Sequence, residues 1–161
     1  MATYNREAAV AYARKWWNRA NPAYPYFQVD CTNFISQCLR AGGAPMYGHP
    51  NRSSGWWMQG GTWSYSWSVA HSLRWFMESS KKGLRARRVM DPSQLEIGDV
   101  IFYDFEGDGR INHSTIVTSM RRGVPYVHAH TSNSADRPYQ YEDSTAYTPN
   151  ITYYFYNITE V

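Results

Sequence analysis

The sequence predicts an α+β domain in which N-terminal helices pack on a C-terminal antiparallel sheet. Apolar residues recur at helical spacing in the first half, whereas the second half alternates short apolar runs with turn signals. The chain has 161 residues, of which 43% are hydrophobic and 18% are charged. This size and composition predict a single globular domain over residues 1–161.

Three helices are expected in the N-terminal half. Asn5 is a suitable N-cap for the first helix, and Asn21-Pro22 ends it. The second helix begins at Cys31 and stops at Gly42-Gly43, where glycine favours termination. The third helix is expected from residue 66 or 68 to 79, after a long loop over 44–66 and before a basic connector over 81–88.

The C-terminal half is predicted to form strands. The apolar runs lie at residues 99–103, 114–120, 125–131 and 151–158. Arg121-Arg122-Gly123 stands between the two middle runs and is typical of a hairpin turn. Helices followed by hairpin-connected strands favour the α+β class.

Cys31 is the predicted nucleophile because it opens the second helix. The first N–H groups of a helix lack intrahelical partners, and the helix dipole is positive at this end. Both effects favour a thiolate, the reactive form of cysteine. The alternative is a simple buried cysteine, which is the interpretation that we give to Cys38 on the same helix.

His113 is the predicted general base, at the head of an apolar strand. A papain-type site needs a cysteine, a histidine that takes its proton and a third residue that orients the imidazole. His128 and His130 lie on the strand expected to pair with that of His113, and alternation places both on one face. Either of them is a candidate for the orienting residue.

Two metal-binding alternatives remain open at this stage, although the expected reaction needs no metal or cofactor. His113, His128 and His130 together offer three nitrogen ligands of the kind that bind zinc. The segment from Asp104 to Ile111 resembles the first part of a calcium loop, but Thr115 stands where that loop needs glutamate. A tight acidic turn that sets His113 in place is the other interpretation.

Aromatic residues make up 17% of the chain, including 7 Trp and 14 Tyr. The loop with Trp56, Trp57 and Trp63 is the candidate for substrate specificity, because aromatic rings stack on sugars and flat ligands. The alternative is a loop that packs on the core. Tyr26 and Asp30, which precede the nucleophile, are also expected to bind substrate.

The segments around these residues resemble the bacterial "putative amidase domain" family, which is similar to the NlpC-like and CHAP cell-wall hydrolases. The matching stretches lie, in the family's order, at residues 30–37, 98–104, 112–118 and 130–131. The resemblance implies a papain-like fold, a Cys31 nucleophile and a His113 base. It places the third residue at His130 in the amidase pattern, or at His128 in the NlpC-like pattern. Asn112 stands where the family usually has Asp.

The resemblance implies a cysteine amidase or peptidase that acts on peptidoglycan or a related cell-wall peptide through a thioester. The residues also leave open a non-catalytic wall- or glycan-binding module and an acyltransferase with the same Cys-His chemistry. The sequence shows no basic run for nucleic acid and no apolar run long enough to span a membrane. We expect an extracellular or cell-wall location within a longer secreted chain, with a cytoplasmic location as the alternative because no signal peptide precedes the first helix.

Overall fold

The computed structural model describes residues 3–131 and 133–161, and it has the predicted α+β architecture. Its four helices and eight strands have the following bounds: α1 Arg6–Trp16, α2 Cys31–Ala41, β1 Met58–Gln59, β2 Thr62–Trp63, α3 Tyr65–Ser68, α4 Ala70–Ser79, β3 Arg85–Val89, β4 Val100–Asp104, β5 His113–Arg121, β6 Val124–Ala129, β7 Ser134–Pro138 and β8 Thr152–Glu160. Met1, Ala2 and Ser132 lie outside the described residues. Among the described residues, no helix has the length and apolar character needed to cross a membrane.

Six strands form one sheet in the order β3-β8-β4-β5-β6-β7, and every pair is antiparallel. The predicted hairpin between β5 and β6 is confirmed, with positive φ at both Arg122 (51°) and Gly123 (78°). Two positive φ values are typical of the tight turns whose twist matches that of antiparallel strands. This hairpin carries His113 at its start and His128 near its end.

The predicted elements that differ from those of the structure are short or polar. The expected third helix is two helices, because Val69 adopts an extended conformation (φ −117°, ψ 121°) and interrupts it. The basic connector over 81–88 contains strand β3, which pairs with β8 through its backbone. Strand β7 was also missed, since its polar residues show no apolar alternation.

The helices cover one face of the sheet and leave aromatic residues on the other. Val100 and Phe102 of β4 face the helices, whereas Ile101 and Tyr103 belong to a second cluster on the opposite face. This alternation follows from the period of two in a strand. Helix α2 lies at the centre of the helical layer, where all residues from Cys31 to Leu39 are buried.

A buried carboxylate joins the first helix to the sheet. Asp99 is fully buried and accepts hydrogen bonds from Arg6 Nη1 (2.7 Å), Asn157 Nδ2 (2.8 Å) and the backbone N–H groups of Glu96 (2.8 Å) and Ile158 (2.9 Å). Burial raises the pKa of Asp99 even though these donors oppose the shift. Because its partners come from three separate parts of the chain, this group fixes α1 against the sheet.

Candidate active site

Cys31 and His113 line the same pocket, which has a volume of about 460 Å³. Cys31 is the first residue of α2 and His113 is the first residue of β5, as predicted. The next residue of each element joins them: Thr32 Oγ1 lies 3.2 Å from Ser114 Oγ, and both side chains are buried. The packing of α2 on β5 therefore brings the predicted nucleophile and base to one place.

The imidazole of His113 is held by Tyr141. The Nε2 atom of His113 lies 3.1 Å from the Tyr141 hydroxyl, whereas Nδ1 makes no hydrogen bond to the described part of the chain. Burial lowers the pKa of His113 to about 4, and the positive charge of Arg137 adds to this effect. His113 is therefore a neutral imidazole at pH 7, with Nδ1 available to take a proton.

The thiol of Cys31 is also held in its neutral form. Its Sγ atom lies 3.7 Å from Thr32 Oγ1, and the side chain is buried. Burial raises the pKa of the thiol, although hydrogen bonds from Thr32 and Ser114 favour the thiolate. The cost of burying a thiolate thus exceeds the stabilisation expected from the helix N-terminus. The resting site pairs a neutral thiol with a neutral imidazole.

The N-cap residue of α2 turns its carboxylate away from the helix. The backbone carbonyl of Asp30 accepts the N–H of Phe34 at 2.9 Å, but its side chain makes no capping hydrogen bond. The carboxylate instead accepts from His130 Nδ1 (2.8 Å) and Thr131 Oγ1 (3.3 Å). N–H groups of the first turn, beside Cys31, are thereby left without a side-chain cap and remain available to an anion.

His130 stands between two acceptors. Its Nδ1 atom lies 2.8 Å from Asp30 Oδ2, and its Nε2 atom lies 2.6 Å from the backbone carbonyl oxygen of Trp16. Both ring nitrogens of His130 thus lie within hydrogen-bond distance of an oxygen atom of the protein. The ring also stacks on Phe34 at a centroid distance of 4.0 Å, and it anchors the start of α2 to the end of α1.

Within the part of the chain that the structure describes, no hydrogen bond joins His113 to either histidine expected to orient it. His130 is engaged by Asp30 and Trp16, and it lies beyond the end of β6. His128 Nδ1 lies 2.7 Å from Thr118 Oγ1, and burial lowers the pKa of His128 to about 4. Tyr141, in the segment that follows β7, hydrogen-bonds to the His113 ring instead.

The tryptophans proposed for substrate binding fall into two groups. Trp56 and Trp57 are fully buried, so their ring faces are not available to a ligand at the surface. Trp56 Nε1 donates to Ser36 Oγ of α2 at 3.1 Å, which matches the alternative of a loop packed on the core. Trp63 is half-buried against Phe27, with ring centroids 4.5 Å apart.

Tyr26 and Asp30 line a second pocket of about 250 Å³ next to the first. Thr131 borders both pockets, and His130 lies in the wall of the smaller one. Tyr26 is 75% exposed and makes no hydrogen bond to the described residues. This geometry leaves Tyr26 free to contact a substrate that extends from Cys31 beyond Thr131.

The acidic segment before His113 is a tight turn. The buried Asp104 carboxylate accepts the backbone N–H groups of Gly107 (2.9 Å), Asp108 (3.3 Å) and Gly109 (2.7 Å). The Oδ1 atom of Asn112 accepts the N–H of Phe105 at 2.9 Å, so the residue before the base has a structural role. Among the described residues, the groups able to hold a metal do not include His113, His128 and His130 together.

Tyr141 and Arg137 were missed by sequence analysis. Both line the pocket of Cys31 and His113, and the Arg137 guanidinium lies 4.1 Å above the Tyr141 ring centroid. No motif or periodicity marks these residues, because β7 and the segment after it reach this pocket only through tertiary packing. The sequence offered more indication of Thr32 and Ser114 than of Tyr141 and Arg137, since each of the two directly follows a predicted catalytic residue.

Comparison with known families matches the model described as "Putative amidase domain" to residues 3–156. The chain belongs to this amidase family. It is 60% identical over 158 residues to uncharacterized protein YhbB of Bacillus subtilis (strain 168), covering 98% of this chain and 51% of that protein. It is 32% identical over 150 residues to uncharacterized protein YjcM of the same organism, covering 88% of this chain and 34% of that protein.

The chain thus spans about half the length of the first of these relatives and about a third of the second. No solved structure matches it. Membership in the amidase family suggests hydrolysis of amides, and the helices and antiparallel sheet agree with the predicted α+β class.

Proposed function

We propose that this chain is a cysteine amidase or peptidase with a papain-like site, which cleaves its substrate through a thioester. The observation that carries the proposal is the shared pocket of Cys31 and His113, with Tyr141 on the far nitrogen of the imidazole. This is the order of a nucleophile, a base and a residue that orients the base. It agrees with the amide chemistry that the family suggests.

The first step is attack by Cys31 Sγ on the amide carbonyl. Because thiol and imidazole are both neutral at rest, His113 takes the thiol proton at Nδ1 as the C–S bond forms. The carbonyl oxygen becomes an oxyanion, which uncapped N–H groups at the start of α2 stabilise. Tyr141 keeps the His113 ring in place while that ring is protonated and carries the positive charge.

The second half of the reaction returns the enzyme to its resting state. His113 donates its proton to the amine as the C–N bond breaks, which leaves the acyl group on Cys31 as a thioester. Water, deprotonated by the same imidazole, then attacks the thioester. The products are an amine and a carboxylic acid, and the thiol is restored.

The proposed substrate is a peptide of the cell wall. The support is the resemblance to cell-wall hydrolases together with the two adjoining pockets around Thr131, which suit an extended peptide. The corresponding location is the cell wall or the outside of the cell, within a longer secreted chain.

Digestion of purified peptidoglycan tests the proposal, with new amine and carboxyl groups as the readout. Cys31→Ala should lose all activity and keep its fold, since the side chain is small and lies at the pocket wall. Cys38→Ala is the matched control, because Cys38 lies on the same helix but is fully buried in the core. Undiminished hydrolysis by Cys31→Ala would rule out a cysteine nucleophile.

A further inference from the structure

We infer that Arg137 recognises a free carboxylate of the substrate, close to the amide that Cys31 attacks. The inference rests on the proposed function and narrows its substrate class to peptides with such a carboxylate. Arg137 lines the pocket of Cys31 and His113. Of the described residues in that lining, it carries the one permanent positive charge.

Two nitrogen atoms of the Arg137 guanidinium have no hydrogen-bond acceptor among the described residues. Its Nη2 atom donates to Asp143 and to the carbonyl oxygen of Gln140 (3.3 Å). Its Nε atom is buried without a hydrogen-bond acceptor, and Nη1 makes no hydrogen bond to the described part of the chain. Nε is enclosed by the protein, as is the unpaired Nε of Arg85, so Nη1 is the donor left to meet a substrate acceptor at this pocket.

A carboxylate is the acceptor that suits this group best. The guanidinium is a planar fork that binds carboxylates with two parallel hydrogen bonds. The ring of Tyr141, 4.1 Å from Cζ, fixes the plane of the guanidinium in advance. Fixing the plane before binding reduces the entropy that is lost when a substrate docks.

The protein's own carboxylate at Arg137, that of Asp143, is exposed to solvent. The Asp143 side chain is 77% exposed, against 25% for Arg137. Ion pairs with such an exposed partner contribute little to stability, because water screens them. A substrate carboxylate can therefore join or replace Asp143 at small cost.

Carboxylate binding also has a consequence for catalysis. The charge of Arg137 helps to keep the pKa of His113 low, which makes the imidazole a weaker base. A bound carboxylate offsets that charge, so His113 becomes a stronger base when the correct substrate is present. Recognition and proton transfer are thereby linked through one side chain.

The test compares the alkylation of Cys31 by iodoacetate and by iodoacetamide. The two reagents have similar size and the same leaving group, but only iodoacetate carries a carboxylate. The ratio of their rate constants is measured by mass spectrometry for the unmodified chain and for Arg137→Gln. Any general change in the reactivity of the thiol affects both reagents and cancels in the ratio.

Three further variants complete the experiment. Arg137→Lys keeps the charge without the planar fork. Arg121→Gln is the matched control, since Arg121 also pairs with an aspartate and lies 4.1 Å above a tyrosine ring, but outside this pocket. Asp143→Asn removes the competing carboxylate.

We expect the iodoacetate-to-iodoacetamide ratio to fall about tenfold in Arg137→Gln, the value of one charged hydrogen bond. It should fall less in Arg137→Lys, stay unchanged in Arg121→Gln and rise in Asp143→Asn. Equal ratios in the unmodified chain and Arg137→Gln would overturn the inference and leave the cysteine mechanism standing. Failure of both reagents to modify Cys31 would instead overturn the proposed nucleophile, and this inference with it.

Discussion

The resting site should behave as a neutral pair, and the pH dependence of Cys31 alkylation measures this directly. In a thiolate–imidazolium pair the thiolate persists well below the usual thiol pKa of about 8.5. Here burial raises the pKa of Cys31 and lowers that of His113 to about 4. The expected result is a rate that follows ordinary thiol ionisation, shifted to higher pH.

The size of the effect follows from the low pKa of His113. With a pKa of about 4, the imidazole carries a second proton in only about one molecule in 10³ at pH 7. Because burial also raises the pKa of Cys31, the thiolate–imidazolium ion pair is a minor species at rest. Its contribution to alkylation is negligible, and the thiolate forms only by loss of a proton to solvent.

The assay follows iodoacetamide labelling of Cys31 from pH 5 to pH 10, in the unmodified chain and in His113→Ala. The rate should rise about tenfold per pH unit up to at least pH 8.5 in both proteins, because thiolate concentration limits it. The buried Cys38 reports any general opening of the fold. A plateau of fast labelling between pH 5 and pH 8 that disappears in His113→Ala would refute the neutral pair.

Three other predictions follow from the same contacts. Tyr141→Phe should lower kcat about tenfold with little change in KM, because the lost hydroxyl orients the His113 ring while the aromatic ring that lines the pocket is kept; an equal rise in KM would contradict this. The free energy of unfolding should fall as the pH drops from about 6.5 towards 4, since the folded pKa of His128 is about 4 and protons therefore bind the unfolded chain first. After allowance for screening by water the loss for this residue is about 1–2 kcal/mol, and urea titrations of His128→Gln should show a shallower decline. Asp99→Asn should cost about 3 kcal/mol in urea denaturation by leaving Arg6 without its buried partner, and a change below about 1 kcal/mol would contradict that role.

Sequence patterns predicted the elements that carry the proposed nucleophile and base. Helix α2 begins at Cys31 and β5 begins at His113, because strong periodicity and clear boundary residues mark both. The hairpin at residues 121–123 was equally clear, since Arg-Gly supplies its positive φ values. These features are local, and local sequence determines them.

Features that depend on tertiary packing could not be predicted in this way. Strand β3 is recruited by β8 through backbone hydrogen bonds and shows no apolar alternation. Trp56 and Trp57 lie in a glycine- and serine-rich loop, yet both are buried: Trp56 packs on α2, and Trp57 bonds to Asn51 within the loop. The sequence of a single loop does not distinguish aromatic residues that are buried from aromatic residues that are open to ligands.

The charge states of the site show most clearly how packing decides chemistry. A helix N-terminus favours a thiolate, and that local argument omitted the cost of burying the charge. In the fold, that cost keeps both Cys31 and His113 neutral, and the positive charge of Arg137 adds to it at His113. A site of this kind has little reactivity towards chance electrophiles, because burial disfavours both charges of the ion pair. The proposed substrate carboxylate at Arg137 would offset the positive charge that opposes protonation of His113, so the group that selects the substrate would also make the base stronger.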